Sequence, residues 1–218
     1  MSLKYQVVPV TSFSQNCSIV WCDETMEGIV VDPGGDVKQL EMLINELGVK
    51  VVNLVLTHGH LDHVGGTEPL AQALGGVEIV GPHKDDNFWL QGLEGQSQMF
   101  GFPLTQAFEP NKWLEEGDKI HFGKQVMDVI HTPGHTPGHV VLASEEAKLA
   151  FVGDVLFNGS IGRTDFPKGD FNTLINSIKS KLWPLGKDVR FVPGHGPEST
   201  FGHERASNPF VADEMPLY

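Results

Sequence analysis

The chain has 218 residues, 40% of them hydrophobic, and its 15 Lys and Arg against 28 Asp and Glu give a formal net charge of −13. A chain this long buries roughly 70–75% of the surface its unfolded form exposes, so a core needs neither disulfides nor a partner. An acidic balance with a pI of about 5.1 excludes a surface built to neutralise nucleic-acid phosphates, and no apolar run approaches the roughly 20 residues of a membrane span.

In chain order, the opening MSLKYQVVPV lacks the apolar stretch and cleavage site of a secretory signal, so a cytoplasmic protein is expected. Short β-branched runs bounded by Gly, Pro, Asp and Asn predict strands over Tyr5–Val10, Cys17–Cys22, Ile29–Val31 and Val51–Leu56. Cys17 and Cys22 would then face opposite ways about 16 Å apart, beyond disulfide reach, as partly buried thiols. Val37, Leu40, Leu43, Ile44 and Leu47 recur at helical spacing between an N-capping Asp36 and a terminating Gly48. A weaker helix over Glu68–Leu74 and a strand over Glu78–Val80 follow. Residues 85–116 have no clear periodicity but carry Phe88, Trp89, Leu90, Met99, Phe100, Phe102 and Trp113, which suits an apolar loop packed on a sheet, a substrate-facing lid or a subunit contact. Further strands are predicted over Lys119–Phe122, Gln125–Ile130, His139–Ala143, Lys148–Val152 and Val189–Val192. Helices are expected over Phe171–Leu182, capped by Asp170, and Thr200–Ser207. No linker or repeat interrupts the series, so residues 1–218 are expected to form one α/β domain of two sheets covered by helices.

Directly after the strand VVNLVL comes THGHLDHVGG, which gathers His58, His60, Asp62 and His63 within six residues. Alternate residues of an extended segment point the same way, so His58 and His60 can converge on one ion, and Asp62 and His63, past the turn, on another. Three more apolar strands end in Gly and then a ligand-type residue: His135, Asp154 and His195. Five histidines and two aspartates exceed what one tetrahedral ion can use and suit two ions, with Asp154 as the natural bridge. Imidazole and carboxylate donors without thiolate suit Zn first, with Fe or Mn as alternatives. TPGHTPGH offers the same flanks twice; His135, at the strand exit, is preferred over His139. His83, His121, His131 and His203 are expected to be surface or packing residues. Two ions at +2, with Asp62, Asp154 and hydroxide, leave roughly +1, which favours a small anionic substrate.

The string HxHxDH, with His135, Asp154 and His195 downstream, resembles the metallo-β-lactamase superfamily over nearly the whole chain. The resemblance implies a four-layer αββα sandwich with a dinuclear site at one edge. It assigns His58, His60 and His135 to one metal and Asp62, His63 and His195 to the other, with Asp154 bridging. GRTDFPKGD from Gly162 to Asp170, PGHGP around His195 and a tail containing His203, Glu204, Arg205, Asn208, Pro209 and Phe210 are similar to the short bacterial form of hydroxyacylglutathione hydrolase, or glyoxalase II. Only 23 residues follow His195, so the resemblance is to enzymes without the C-terminal helical domain that supplies basic residues to glutathione. It implies hydrolysis of S-acylglutathione thioesters such as S-lactoylglutathione, and a part in methylglyoxal detoxification. Arg163 and Phe166 of GRTDF become candidate substrate contacts, with Arg163 equally able to brace Asp165; Lys168 and Arg205 are weaker candidates for an anion. GRTDF also occurs in related persulfide dioxygenases, whose single iron could be matched by His58, His135 and Asp154, and lactonase activity is a further alternative. A thioester needs little acid catalysis, because a thiol of pKa about 8.5 leaves readily as thiolate.

Overall fold

In the computed structural model, which describes residues 2–214, the central strands bury apolar side chains on both faces, and this period-two pattern sets the architecture. Strands β1 (Leu3–Val10), β2 (Gln15–Cys22), β3 (Glu27–Val31), β4 (Lys50–Val55) and β5 (Glu78–Val80) lie side by side in sequence order, antiparallel from β1 to β3 and parallel from β3 to β5. The remaining strands are β6 (Lys119–Phe122), β7 (Gln125–His131), β8 (Val140–Ser144), β9 (Leu149–Gly153), β10 (Leu156–Phe157), β11 (Ser160–Ile161), β12 (Arg190–Pro193) and β13 (Ser199–Thr200). Six of them form a second sheet in the order β13-β12-β9-β8-β7-β6, and β10 and β11 pair as a separate ribbon.

Helices complete the sandwich: α1 (Val37–Leu47), α2 (Leu61–Val64), α3 (Thr67–Ala73), α4 (Asn87–Gln91), α5 (Leu93–Phe100), α6 (Phe171–Ser177) and α7 (Phe201–Ser207). Ile19, Val30, Leu54 and Ile79 turn outward from the first sheet and pack on Leu40 and Ile44 of α1 and Leu70 of α3. Their neighbours Val20, Ile29, Val55 and Val80 turn inward and meet Phe122, Met127, Val129, Leu142 and Phe151 of the second sheet. On that sheet's other face, Val141, Ala150, Val152 and Phe191 pack on Leu174, Ile178, Leu182 and Phe201. Three stacked cores between four layers make an αββα sandwich, as the sequence resemblance implied. Each buried aliphatic side chain contributes about 1.5–3 kcal/mol.

Several local expectations are corrected. Asp36 adopts a left-handed backbone and does not cap α1; its Oδ2 instead accepts the Thr11 amide at 2.7 Å, tying the β1–β2 turn to the helix start. Asp170 does cap α6, accepting from the Thr173 amide at 2.7 Å. Residues 85–116 hold two short helices, α4 and α5, whose Leu90 and Leu93, with Phe108 from the segment after them, join the outer core of the first sheet. The helix begun at Phe171 continues past Ser177 as a wider π-type turn, Ile178–Leu182, and a 3-10 turn, Trp183–Leu185. The strand expected to start at His139 starts at Val140. Cys17 and Cys22 are free, as expected, but wholly rather than partly buried.

Parallel pairing of β9 with β12, and antiparallel pairing of β7 and β9 with the intervening β8, put the ends of β7, β9 and β12 along one edge of the second sheet. The loop after β4 reaches the same edge: the Val140 amide at the start of β8 donates to the Thr57 carbonyl at 2.8 Å. An isolated bridge between Gln15 and His195 closes the two sheets over it.

Candidate metal centre

His58 and His60 leave β4 in extended backbone, and His60 stands at the N-cap of α2, so Asp62 and His63 occupy that helix's first turn. The reversal between strand exit and helix separates the four side chains into two directions. His58, His60 and His135 form one group of convergent donor atoms and Asp62, His63 and His195 another, the atoms within each group lying within 4.8 Å of one another.

In the first group His60 Nδ1 lies 3.1 Å from His58 Nε2 and 3.0 Å from His135 Nε2. The far nitrogens set the tautomers. His135 Nδ1 donates to the Arg163 carbonyl at 2.7 Å. His58 Nδ1 lies 3.0 Å from Thr57 Oγ1, whose hydroxyl in turn donates to Asp32 Oδ2 at 2.6 Å. His58 and His135 therefore both turn bare Nε2 lone pairs toward His60 Nδ1, and one proton cannot satisfy three facing nitrogens. A cation can, and a ligand whose other ring nitrogen is tied to a hydroxyl or carbonyl is oriented for it.

In the second group His63 Nδ1 donates to Asp32 Oδ2 at 2.9 Å, leaving Nε2 to face Asp62 Oδ2 at 3.7 Å and Asp154 Oδ1 at 3.4 Å. His195 Nδ1 donates to the Phe13 carbonyl at 3.2 Å, and its Nε2 approaches Asp62 Oδ2 at 3.1 Å. Asp154 stands between the groups, with Oδ2 3.7 Å from His135 Nε2 and 3.8 Å from His195 Nε2. His63 Nε2 and Asp154 Oδ1, which face each other between the two groups, are buried without a hydrogen-bond partner. Orphaned polar atoms at the meeting point of two donor sets fit two divalent ions sharing the Asp154 carboxylate.

The chain's sequence agrees with this geometry. A family model described as the metallo-beta-lactamase superfamily matches residues 10–195. The chain belongs to the metallo-β-lactamase superfamily. It is 47% identical over 210 residues to a Haemophilus influenzae protein named hydroxyacylglutathione hydrolase GloC, covering 96% of this chain and 98% of that one. Among solved structures it is similar to BLEG-1 B3 metallo-beta-lactamase, with a TM-score of 0.88 and 32% identity over 95% of this chain and 99% of that one. It is also similar to TTHA1623 in a di-iron-bound form, with a TM-score of 0.86 and 35% identity over 94% of this chain and 100% of that one.

Protonation follows the superfamily site's burial and charge. Burial holds His58 well below the ordinary histidine range, and it lowers His60 to about 3 and His135 as well, so these rings are neutral donors at neutral pH. His63 is also buried, but Asp154, Asp62 and Asp32 outweigh that and raise its pKa: the pocket demands a positive charge at Nε2. Burial opposes ionisation of Asp154, yet His63, His135 and His195 hold it well below the carboxylate range.

Close backbone packing makes this convergence possible. A Cβ on Gly194 would lie 2.1 Å from Asp154 Oδ1 and 2.6 Å from His63 Cε1, so only glycine fits before His195. Gly153 has φ 48°, which favours glycine, and its amide-side neighbour Asp154 donates its own N–H to His139 Nε2 at 3.1 Å. His139 thus stands behind the site, stacked on His58 with ring centroids 4.7 Å apart, and outside both donor groups.

Of the proposed substrate contacts, Phe166 lies over the site, its ring 4.8 Å from His60 and 5.8 Å from His135. Arg163 is paired bidentately with Asp165 at 2.9 and 2.8 Å and lies over the Phe166 ring. Lys168 covers Phe88. Arg205, considered as an anion contact, is instead bound to Asp213 and the Trp183 carbonyl.

Three supporting residues were missed from sequence. Asp32 ties Thr57, and through it His58, to His63; it ends the apolar strand β3 as Asp154 ends β9, and that parallel was the available signal. Trp89 packs its ring 4.5 Å from His60. Asp86, fully buried, accepts from the Gly59 amide at 2.9 Å, Thr136 Oγ1 at 2.8 Å and the Gly138 amide at 2.6 Å. It thereby joins the loop of His58 and His60 to the loop of His135 and His139; nothing in KDDNFW announces that role.

Proposed function

We propose that the chain hydrolyses S-acylglutathione thioesters such as S-lactoylglutathione, with two divalent ions as cofactors. His58, His60 and His135 would hold one ion and Asp62, His63 and His195 the other, with Asp154 shared between them; zinc is the first choice of metal, iron or manganese the alternatives. The chemistry that bound divalent ions would supply there is polarisation of a thioester carbonyl and a lowered pKa for water. The reading is carried by the joint presence of two convergent donor groups around Asp154 and a relative named hydroxyacylglutathione hydrolase that is 47% identical across nearly the full chain.

The chain's own groups fit that reaction. Asp62, whose carboxylate is partly exposed between His63 and His195, accepts a hydrogen from the attacking water and orients it. Phe166 and Trp89 wall the His60 side and exclude bulk water there. The departing thiolate needs no strong acid, and His58, His63, His135 and His195 each have the far ring nitrogen tied to a hydroxyl, a carboxylate or a carbonyl. Cys17 is a poor nucleophile, because burial, with Asp32 nearby, pushes its thiol well above the usual range. Phe166 would offer the substrate an apolar contact, and Arg163, after release from Asp165, would meet its anionic groups; the substrate is a small anionic thioester, with neither nucleic acid nor membrane as partner.

The test is to supply purified, metal-replete protein with S-lactoylglutathione and, separately, glutathione persulfide, following thiol release and oxygen uptake. Thiol release from the thioester without oxygen uptake is expected. Oxygen consumption with the persulfide and no thioester cleavage would establish the dioxygenase reading instead; inactivity with both would point to another hydrolase, such as a lactonase.

A further inference from the structure

Four of the five histidines in the two donor groups have the far ring nitrogen tied to an oxygen, and His60 does not. His58 Nδ1 meets Thr57 Oγ1 at 3.0 Å, His63 Nδ1 meets Asp32 Oδ2 at 2.9 Å, His135 Nδ1 meets the Arg163 carbonyl at 2.7 Å and His195 Nδ1 meets the Phe13 carbonyl at 3.2 Å. His60 is turned the other way round. Its Nδ1 faces the other members of the first group, and its Nε2 is buried with no hydrogen-bond partner. With Nδ1 as the donor atom, the neutral ring carries its proton on Nε2. Burial closes that N–H to solvent and to a substrate alike.

The groups beside the ring are aromatic. The centroid of Trp89 lies 4.5 Å from that of His60 with the planes 79° apart, and that of Phe166 at 4.8 Å and 61°. An N–H is attracted to the negative face of such a ring. Trp89 is also tied to the chain on both sides of His60. Before it, Gly59 packs so closely that a Cβ there would lie 2.7 Å from Trp89 Cβ. After it, the Leu61 amide donates to Oε1 of the buried Gln96 at 3.0 Å, and Gln96 Nε2 donates to the Trp89 carbonyl at 2.9 Å. Phe166 stands on the loop after β11, beside the exposed pair of Arg163 and Asp165.

We infer that Trp89 is the positioning residue of His60, its ring taking the place that an oxygen takes behind the other four histidines. On the reading of the metal centre given above, the short helix α4 thus serves to set an indole against a ligand ring. The Trp89 Nε1–H is likewise buried without a partner, so the residue acts through its ring and not through its N–H. An oxygen acceptor both orients a ligand imidazole and raises its basicity. An aromatic face orients the ring and adds little basicity, which makes His60 the weakest donor of its group and the one whose hold depends most on being aimed.

Proton NMR of zinc-loaded protein labelled with nitrogen-15 at histidine tests this independently of which reaction the centre performs. Ring N–H protons held by oxygen are expected downfield, and that of His60 upfield of them all, in the ring current of the indole. Calorimetric titration of zinc into metal-free protein then measures the hold. His60→Gln marks which binding event belongs to the first donor group. Trp89→Leu should weaken that event by about tenfold or more and spare the other, whereas Trp89→Phe, which keeps an aromatic face, should retain both. A wild-type His60 N–H found downfield among the rest, or equal zinc affinity in Trp89→Leu and wild type, would overturn the proposal; the first result needs no variant to fold. Wild-type protein that bound no zinc would overturn the metal centre and the role of Trp89 together.

Discussion

Asp154 differs from every other residue at the centre in facing both donor groups, since His63, His135 and His195 all lie within 3.4–3.8 Å of its carboxylate. An amide cannot bridge two cations as a carboxylate does. Asp154→Asn is therefore expected to lose about a thousandfold or more in kcat/KM and to retain at most one tightly held ion. His139→Ala removes the acceptor of the Asp154 amide and the ring stacked on His58 but no atom of either donor group, and it should keep both ions with a loss nearer tenfold; parallel metal analysis and kinetics on folded variants check the contrast. Asp86 makes a different prediction. Burial raises its carboxyl to about 6 despite three donors, against 3.8 for a free carboxyl. The folded chain thus takes up this proton before the unfolded one does. Its contribution to stability is full below the unfolded value and is lost as pH rises through about 6. Carboxyl-detected NMR should find the Asp86 midpoint near 6; a midpoint near 4 would show that the hydrogen bonds, not burial, dominate.

At the scale of elements, legibility tracked the strength of the local pattern. The central strands announce themselves because they bury both faces and so read as short apolar runs, as in Leu149–Val152, while β1 and β6 alternate buried with more exposed positions. Helices α4 and α5 left no such trace. They span five and eight residues, too few turns for a helical stripe to stand out from a segment rich in Phe and Trp. Asp36 misled for a related reason: an Asp before a helical stripe normally caps it, and here a tertiary contact with the Thr11 amide claims the carboxylate instead. The ligand-bearing strand ends were legible because chemistry forces unusual residues into a dense string, whereas Asp32 and Asp86 act through hydrogen bonds that any buried carboxylate could make. Glycine at the strand ends carries its own prediction. Gly194→Ala drives a methyl into Asp154 and His63, so it should lower ion stoichiometry by about one per chain and reduce activity by about a hundredfold or more. Metal analysis after dialysis, with circular dichroism confirming an intact fold, reads this directly.

Across the whole molecule, the donors hang from β4, β7, β9 and β12, elements contributed by both sheets, so ion binding clamps the sandwich together along one edge. Binding to the folded chain alone raises stability by mass action, about 4 kcal/mol at a thousandfold excess of free ion over the dissociation constant. A chelator should therefore lower the melting temperature by several degrees, and an unchanged melting curve would mean the edge is held without the ions. The central claim is that both donor groups must be filled for thioester hydrolysis, and the most direct measurement is activity toward S-lactoylglutathione as zinc is added stepwise to metal-free protein. Hydrolysis is predicted to climb until two ions are bound per chain and then level off; a plateau already reached at one ion per chain would contradict it.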